Sequence, residues 1–412
     1  MNLTMNFLDS HMFRALKHRN YRLFFTGQGC SLMGTWIQQV AVSWLVYDLT
    51  KSALYLGIAG FSSQIPTFFL TPIGGVCADR WPKRRILFIT QFLSMLLAFI
   101  LAYLFFSGSI VIWQIITVSF LLGCVNSFDM PARHSFVNEI VTEKKDLGNA
   151  IALNSFLFNS ARLIGPSIAG IIIARSNEGA CFIINALSFI AVLFALSAMT
   201  LDESLSISRK HEHPFKELLQ GLKYAAKTRR IRNILVFGVV IGLSGMPYAV
   251  LMPMYAREIL HGNAETLGFL TGATGFGALT GALFLARRKD VENLEKVISI
   301  TCLLFGSSLL LLSFSKLFAT SLALMFFCGL GLMLQMASSN VTLQTIVHDD
   351  MRGRIMSFYI FTFMGSAPFG SLIAGSAAQH IGLQHTLQIS GAICILTASI
   401  FFTMFKLGKT EQ

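Results

Sequence analysis

Long apolar runs separated by short polar segments dominate this 412-residue chain. A run of about 20 apolar residues is long enough to cross the hydrocarbon core of a membrane as a helix. Inside lipid each run must satisfy its own backbone hydrogen bonds, and the runs lack the two-residue alternation of barrel strands. The pattern therefore predicts twelve transmembrane helices, at 21–47, 53–75, 86–106, 110–130, 147–174, 179–199, 233–255, 266–286, 297–315, 317–345, 354–378 and 382–405.

Composition supports a membrane protein. The chain is 54% hydrophobic and only 13% charged, whereas soluble domains carry about 25% charged residues. The first 20 residues are polar and basic, so we expect no cleavable signal peptide. The seven cysteines form no C-x-x-C pair. They are therefore expected to be packing residues, with neither a disulfide framework nor a metal site.

The distribution of positive charge predicts the orientation. With a cytoplasmic N-terminus, nearly all lysines and arginines fall in cytoplasmic segments, and the outer side holds only Lys51, Arg175, Arg257 and Lys316. This asymmetry follows the positive-inside rule and places both termini in the cytoplasm. The net charge of +12 is therefore interpreted as topological, and no nucleic-acid partner is expected.

A long polar segment divides the chain into two halves. Within it, Phe215, Leu218, Leu219 and Leu222 share one helical face, which predicts an amphipathic helix on the inner leaflet. His211-x-His213 could bind a metal, but a solvated loop is the preferred interpretation. The predicted organisation is a cytoplasmic segment (1–20), a six-helix bundle (21–199), a cytoplasmic central loop with an amphipathic helix (200–231), a second six-helix bundle (232–405) and a cytoplasmic tail (406–412).

The two halves also contain an internal repeat. Residues 149–170 read NAIALNSFLFNSARLIGPSIAG and residues 354–375 read RIMSFYIFTFMGSAPFGSLIAG. Gly165 falls opposite Gly370, and Gly170 opposite Gly375. A repeat of half the chain length in a twelve-span protein indicates a duplicated transporter with its substrate site between the repeats.

The segment from Gly75 to Arg85 reads G-x-x-x-D-R-x-x-K-R. It resembles the loop 2–3 signature of the major facilitator superfamily of secondary transporters. A carboxylate at a helix end can accept hydrogen bonds from a neighbouring helix N-terminus and pair with arginine. We therefore predict a gating latch, the alternative being charges that only set topology. Its residues are Gly75, Asp79, Arg80, Lys83, Arg84 and Arg85.

Four further stretches resemble the branch of that superfamily that includes macrolide efflux proteins and enterobactin exporters. They are W-L-V-Y-D-L-T-K-S-A from Trp44, the P-A-R turn after span 4 (129–133), the antiporter motif of span 5 with Gly165, Pro166 and Gly170, and the D-x-x-R-G-R loop between spans 10 and 11 (349–354). The resemblance implies an all-α membrane protein of two pseudo-symmetric six-helix bundles. The second-half counterpart of the first loop keeps Gly281 and Arg287-Arg288-Lys289 but has no acid matching Asp79.

Charged residues within or near the spans are the candidates for coupling or substrate binding: Arg162, Asp129 and Asp48. Arg162 lies about 24 Å along its helix from Asp146, well inside the hydrocarbon. A buried arginine is costly and is functional or paired in most cases. We predict that it governs coupling or contacts an anionic substrate group, or else ties span 5 to its neighbours through carbonyls, Gln38 or Gln39.

Polar residues on the spans that line the cavity in the superfamily complete the predicted site: Gln38, Gln39, Gln64, Asn126, Asn154, Asn159, Tyr248, Gln335 and Asn340. Amide- and Phe-rich walls suit a small amphipathic substrate, and the alternative is that these residues bond across helices. Membrane lipids surround the chain, and we expect a monomer.

Motifs of hydrolases, metalloproteases and nucleotide-binding loops are absent from the sequence, which predicts a transporter, not an enzyme, with no cofactor and driven by an ion gradient. A proton is the expected coupling ion, although the R-x-x-x-G pattern of span 4 in proton-coupled drug antiporters is missing. The prediction is an exporter, of a siderophore or drug for example. The alternatives are a lysophospholipid flippase or an importer on the same fold, or a transport-dead sensor or scaffold.

Overall fold

The computed structural model describes residues 13–141, 143–200, 214–287 and 294–410. Within these ranges the chain is helical, with no strand. The candidate metal pair His211 and His213, and the loop residues Arg288 and Lys289, lie outside the described residues.

Twelve long helices and one amphipathic helix account for nearly all of the described chain. In order they are α1 (Arg19–Thr50), α2 (Ala53–Arg80), α3 (Lys83–Phe106), α4 (Ile112–Ile140), α5 (Lys144–Arg175), α6 (Glu178–Ala198), α7 (Pro214–Lys227), α8 (Arg229–Ile259), α9 (Ala264–Arg287), α10 (Leu294–Phe314), α11 (Phe318–Ile346), α12 (Asp349–Ile381) and α13 (Leu383–Thr410). Among the described residues, eleven of these are long and apolar enough to cross a membrane. The remaining long helix, α1, has 32 residues and carries more polar side chains.

Three segments predicted as loops or turns are helical, which corrects the sequence interpretation. The latch motif has only Trp81 and Pro82 outside helices, because α2 runs to Arg80 and α3 begins at Lys83. The D-x-x-R-G-R segment forms the first turns of α12. The P-A-R segment lies inside α4, which continues to Ile140.

Pro131 lies inside α4, at a close approach to α2. A proline has no N–H, so the carbonyl of Ser127, four residues earlier, loses its helical donor. Gly74 of α2 packs directly against that carbonyl, and a side chain at Gly74 would collide with it. The helix nevertheless continues to Ile140.

The helix α8 is irregular, which the sequence interpretation did not predict. An α-helical start, Arg229–Val240, is followed by a widened turn at Ile241–Gly245, a tighter one at Met246–Leu251 and a second widened turn at Tyr255–Ile259. Pro247 and Pro253 lie in this region, and each removes one backbone donor, which favours irregular turns.

Two compact units are present. One takes in the described residues of Met1–Leu45 and Ile65–Arg209, and the other those of Val46–Gln64 and Lys210–Gln412. In the first, α3 packs on α4 and α6; in the second, α10 packs on α11 and α13. These are equivalent helices of the two sequence repeats, so the repeat seen in the sequence is matched by equivalent packing within each unit.

The amphipathic α7 also has defined packing. A methyl group at Gly221 would lie 3.0 Å from the ring of Phe358 and 3.1 Å from Cβ of Arg354. The Arg354 guanidinium donates to Oε1 of Gln220 at 3.0 Å. Through these contacts α7 rests on the N-terminal part of α12.

Candidate functional site

The centre of the first unit holds an arginine stacked on a tryptophan. Trp36 and Arg162 lie near the midpoints of α1 and α5. The guanidinium carbon of Arg162 is 5.9 Å from the centre of the Trp36 ring, within the range of a cation–π interaction. Gly165, one turn along α5, makes room for this, because a methyl group there would lie 2.6 Å from Cβ of Trp36. The motif glycine thus seats the ring beside the cation.

Among the described residues, no carboxylate compensates the charge of Arg162. Within the described residues its side chain has no ion pair and no hydrogen bond, and it is partly exposed. The expected partners are arranged differently. Gln38 is buried and its Oε1 accepts from Nδ2 of Asn185 at 2.8 Å, while Gln39 is exposed. A cation–π contact lowers the cost of the cation but leaves its charge in place.

Two further side chains of α5 extend this surface. Phe158 packs edge-on against Trp36, with ring centres 6.0 Å apart, and remains 45% exposed. Asn159, one turn from Arg162, donates to the carbonyl of Ser155 at 2.8 Å. Trp36, Phe158, Asn159 and Arg162 are called the Arg162 patch below. The patch offers a guanidinium fork, two aromatic surfaces and an amide, a combination that suits an amphipathic ligand with a negative group.

Asp129 is a buried acid whose charge is fully compensated. It is 2% exposed, and its Oδ1 accepts from Thr90 at 2.8 Å and from Nε2 of Gln91 at 2.7 Å. The other oxygen pairs with Arg133, one turn along α4. Ser31 of α1 donates to Oε1 of Gln91 at 3.0 Å and completes the network. This network ties α1, α3 and α4 together. It does not include Arg162.

The remaining charged candidates lie near helix ends. Asp48 is near the end of α1 and pairs with Lys51. Asp79 is exposed on the last turn of α2, and in the described part of the chain its side chain has no ion pair. The basic residues around it have other partners: Lys83 pairs with Glu139 at 2.6 Å, and Arg84 donates to the carbonyl of Ser197 at 3.0 Å.

Gly75 of the predicted latch has free space around it, whereas its neighbour Gly74 is closely packed. At Gly75 a methyl group would meet nothing within 4 Å, whereas Gly74 is the residue that packs on α4. Sequence reasoning missed Gly74, because the signature weights Gly75. Pro166 and Gly170 are buried in α5 beside Gly165, as expected of a packing motif.

The other predicted cavity residues do not form one cluster. Tyr248 and Gln335 are buried in the second unit at 3% and 1% exposure; Tyr248 packs on Phe305 and Gln335 donates to Ser339. Tyr248 thus contacts another helix, whereas the hydrogen bond of Gln335 stays within α11. Gln64, Asn154 and Asn340 are partly exposed, and Asn126 is exposed.

A set of contacts that the sequence did not reveal involves the segment Val46–Gln64, which belongs to the second unit. Tyr47 donates a hydrogen bond to Glu258 of α8, and Ser52 donates to Gln379 of α12 at 2.8 Å. A methyl group at Gly57 would lie 2.7 Å from the carbonyl of Ser371 and 3.0 Å from Cα of Gly375. Backbones therefore meet directly here, and only glycine fits.

The N-terminal turn is held by a second unpredicted cluster. Asp146, at 5% exposure, pairs with Nε2 of His18 at 3.1 Å and with Nε of Arg14 at 3.6 Å. Ligand atoms of His18, Glu143 and Asp146 lie within 4.8 Å of one another. The Arg14 cation beside Asp146 opposes a metal ion there, and the cluster is best described as an anchor of the turn Arg14–Lys17 to α5.

Comparisons with known proteins identify relatives along the whole chain. The model of the transmembrane secretion effector family matches residues 10–412. The chain is 28% identical to the staphyloferrin A transporter of Staphylococcus aureus over 387 residues, covering 92% of this chain and 95% of that protein. It is 20% identical to macrolide efflux protein A of Streptococcus pyogenes, over 93% of this chain and 96% of that protein. It is 24% identical to the multidrug efflux pump Tap of Mycolicibacterium fortuitum, over 86% of this chain and 88% of that protein.

Solved structures agree with this fold. The nucleoside transporter NupG superposes with a TM-score of 0.69 at 18% identity, covering 95% of this chain and 99% of that one. A bacterial homologue of the lysosomal transporter Spinster, in an inward-facing and unoccupied conformation, superposes with a TM-score of 0.71 at 10% identity. The match covers 94% of this chain and 96% of that one. The predicted all-α transporter fold and the predicted class of multi-pass membrane protein are confirmed.

Proposed function

Because the chain belongs to the transmembrane secretion effector family of the major facilitator superfamily, we propose that it exports a small amphipathic molecule, such as a siderophore or a drug. The observation that carries the proposal is the full-length match to relatives named as a siderophore transporter and as efflux proteins. Since the family and these relatives are membrane transporters, the chain is a transporter and not an enzyme.

An ion gradient supplies the energy in this proposal. The sequence has no phosphate-binding loop for a nucleotide. Inward proton flow is the proposed drive, and the chain acts as a monomer in the inner (cytoplasmic) membrane with both termini in the cytoplasm, as the distribution of Lys and Arg favours.

Alternating access provides the mechanism. On the predicted outer side, the segment Val46–Gln64 packs within the second unit. Tyr47 of this segment donates to Glu258, and Gly57 contacts Gly375. We assign this packing to the closed outer gate, which separates when the site opens outward. On the predicted inner side, Asp79 is exposed and unpaired within the described residues. We assign it to a latch that engages only when the inner side closes.

A deletion strain tests the direction of transport. We expect deletion to raise the intracellular amount of an amphipathic compound and to lower its amount in the medium. Metabolite profiling of cells and medium measures both, and re-expression of the wild-type gene must restore them. If deletion instead abolishes uptake of a nutrient, the chain is an importer; if it alters the distribution of lysophospholipid between leaflets, it is a flippase; and if no metabolite changes, the export proposal is wrong.

A further inference from the structure

We propose that the Arg162 patch binds the negative group of the transported substrate, and that the substrate is an organic carboxylate with an aromatic or apolar body. This inference rests on the proposed export function and adds the chemical class of its substrate. It is carried by the uncompensated charge of Arg162, by the aromatic rings around it and by a comparison of the two repeats.

The charge argument starts from the permanence of the arginine cation. A guanidinium does not lose its proton in proteins, and placing it near the midpoint of a transmembrane helix costs at least about 2.5–3.5 kcal/mol on insertion scales. Asp129 shows how this chain compensates a buried charge, with one cation and two neutral donors. Arg162 has no such partner among the described residues. The site is therefore positive before substrate binds.

The Trp36 contact orients the cation without neutralising it. An arginine over an aromatic ring keeps N–H groups available to accept a carboxylate in a bidentate, charge-assisted pair. The partly exposed side chains of Trp36 and Phe158 provide apolar surface beside that position. A ligand that combines a carboxylate with an apolar body would contact both parts of the patch.

The second repeat shows that packing does not require the arginine. With Gly165 aligned to Gly370, the residue opposite Arg162 is Ala367. Gly370 of α12 packs on α8, where a methyl group would lie 2.6 Å from Pro247, as Gly165 of α5 packs on α1. Equivalent glycine packing thus forms with an alanine at 5% exposure in place of the cation. A purely structural role for Arg162 does not explain this difference.

A carboxylate is favoured over a phosphate monoester by the number of charges. One arginine neutralises one negative charge, whereas a phosphate monoester carries close to two at neutral pH. No second cation lies beside Arg162 among the described residues of α1 and α5, whose other basic residues are near the helix ends. The patch therefore matches a monoanion.

Binding of matched probes to the purified full-length protein in nanodiscs tests the proposal. The probes are 2-naphthoate, 2-naphthamide and 2-naphthyl phosphate, which share one ring system and differ in charge, and calorimetry measures affinity. We expect naphthoate to bind more tightly than the other two. Arg162→Gln should weaken naphthoate binding about 10–100-fold and leave naphthamide binding unchanged, as loss of a charge-assisted hydrogen bond predicts.

Matched variants provide the controls. Arg175→Gln removes the same charge from the exposed end of the same helix and should bind naphthoate as the wild type does. Arg162→Lys should retain part of the affinity, because it keeps charge but loses the planar fork. Equal binding of naphthoate and naphthamide, tighter binding of naphthyl phosphate, or unaltered naphthoate binding to Arg162→Gln overturns the proposal. So does failure of the wild type to bind naphthoate.

The deletion strain separates this inference from the export proposal. If a retained compound is found and carries a carboxylate, and the Arg162→Gln strain retains it while the Arg175→Gln strain does not, both proposals are supported. If the retained compound is neutral or cationic, export stands and the carboxylate inference is wrong. If no compound is retained, the export proposal itself has failed.

Discussion

Arg162 and Ala367 occupy equivalent positions in two repeats that share a closely packed glycine one turn further along the helix. In the first unit Gly165 lets α5 approach Trp36 of α1, and in the second Gly370 lets α12 approach Pro247 of α8. One repeat adds a cation and an aromatic partner; the other has a methyl group, buried at 5% exposure. The shared part of the two arrangements explains the fold, and the part that differs is where function is to be sought.

The same asymmetry recurs at the predicted inner surface. Asp79 lies on the last turn of α2 in the first repeat, and the counterpart of this motif in the second repeat has no matching acid. Asp79 is also exposed and without an ion pair in the described part of the structure. Duplication gave both repeats the same helices, whereas these charges occur in only one of them. We therefore assign substrate binding and gating to charges of the first repeat.

The largest effect is expected from changing the cation at Arg162. Arg162→Leu should accumulate in the membrane and lose nearly all transport, because no ion pair is broken and the apolar side chain suits the Trp36 ring. Arg162→Lys should also fold and lose transport at least about tenfold, since it discards the planar donor fork. Transport of the compound found by metabolite profiling, in proteoliposomes at equal protein content, measures the loss.

Two results with the Arg162 variants would contradict a functional difference between Arg162 and Ala367. Normal transport by both variants would show that the charge has no role. Failure of both to accumulate would show that the arginine is structural and that the two repeats differ in their packing needs after all.

A smaller but still clear loss of transport is expected from Asp79→Asn. The substitution keeps the size and exposure of the side chain and removes the charge that a latch requires. Since Asp79 makes no ion pair with any described residue, membrane insertion and thermal stability should match the wild type. Reconstituted protein measures turnover. Wild-type turnover would show that the acid only accompanies the topology-setting charges, as in the second repeat.

The sequence predicted the helices well because hydrophobicity reports contact with lipid. It was poorer at their ends: α2 extends to Arg80 and α4 to Ile140, beyond the apolar runs, because a helix leaving the hydrocarbon keeps its hydrogen bonds while its side chains become polar. The P-A-R segment was expected to be a turn because it resembles one in the family, yet α4 continues through it. The carbonyl that loses its donor packs against Gly74, a contact between distant segments that no local pattern reveals.

The candidate site was predicted only in part. The sequence identified Arg162 because a cation in an apolar run is unusual. It did not identify Trp36, because tryptophan is one of many apolar residues in a transmembrane span. The glycine motif held the missing signal, since a residue lacking a side chain implies that something bulky lies against it. The contacts of Tyr47 with Glu258 and of Gly57 with Gly375 involve residues more than 200 positions apart, and residue spacing carries no information about them.

The smallest effect is expected where the repeats are alike. Gly165→Ala places a methyl group 2.6 Å from Cβ of Trp36, and Gly370→Ala places one 2.5 Å from the carbonyl oxygen of Leu243 and 2.6 Å from Pro247. Overpacking of this kind costs about 1–3 kcal/mol, part of which is offset by the better helix propensity of alanine. We expect the apparent melting temperature of both detergent-purified variants to drop, and that of Gly370→Ala to drop more, because its nearest neighbour is backbone.

Two other glycines serve as matched controls for this pair. Gly148 and Gly353 are themselves repeat partners near the starts of α5 and α12, and a methyl group at either would meet nothing within 4 Å. Gly148→Ala and Gly353→Ala should therefore be neutral or slightly stabilising. Naphthoate binding then separates the repeats: Gly165→Ala displaces Trp36 and should weaken this binding, whereas Gly370→Ala should lower stability alone. If both variants lose binding equally, the Arg162 patch is not the feature that distinguishes the first repeat.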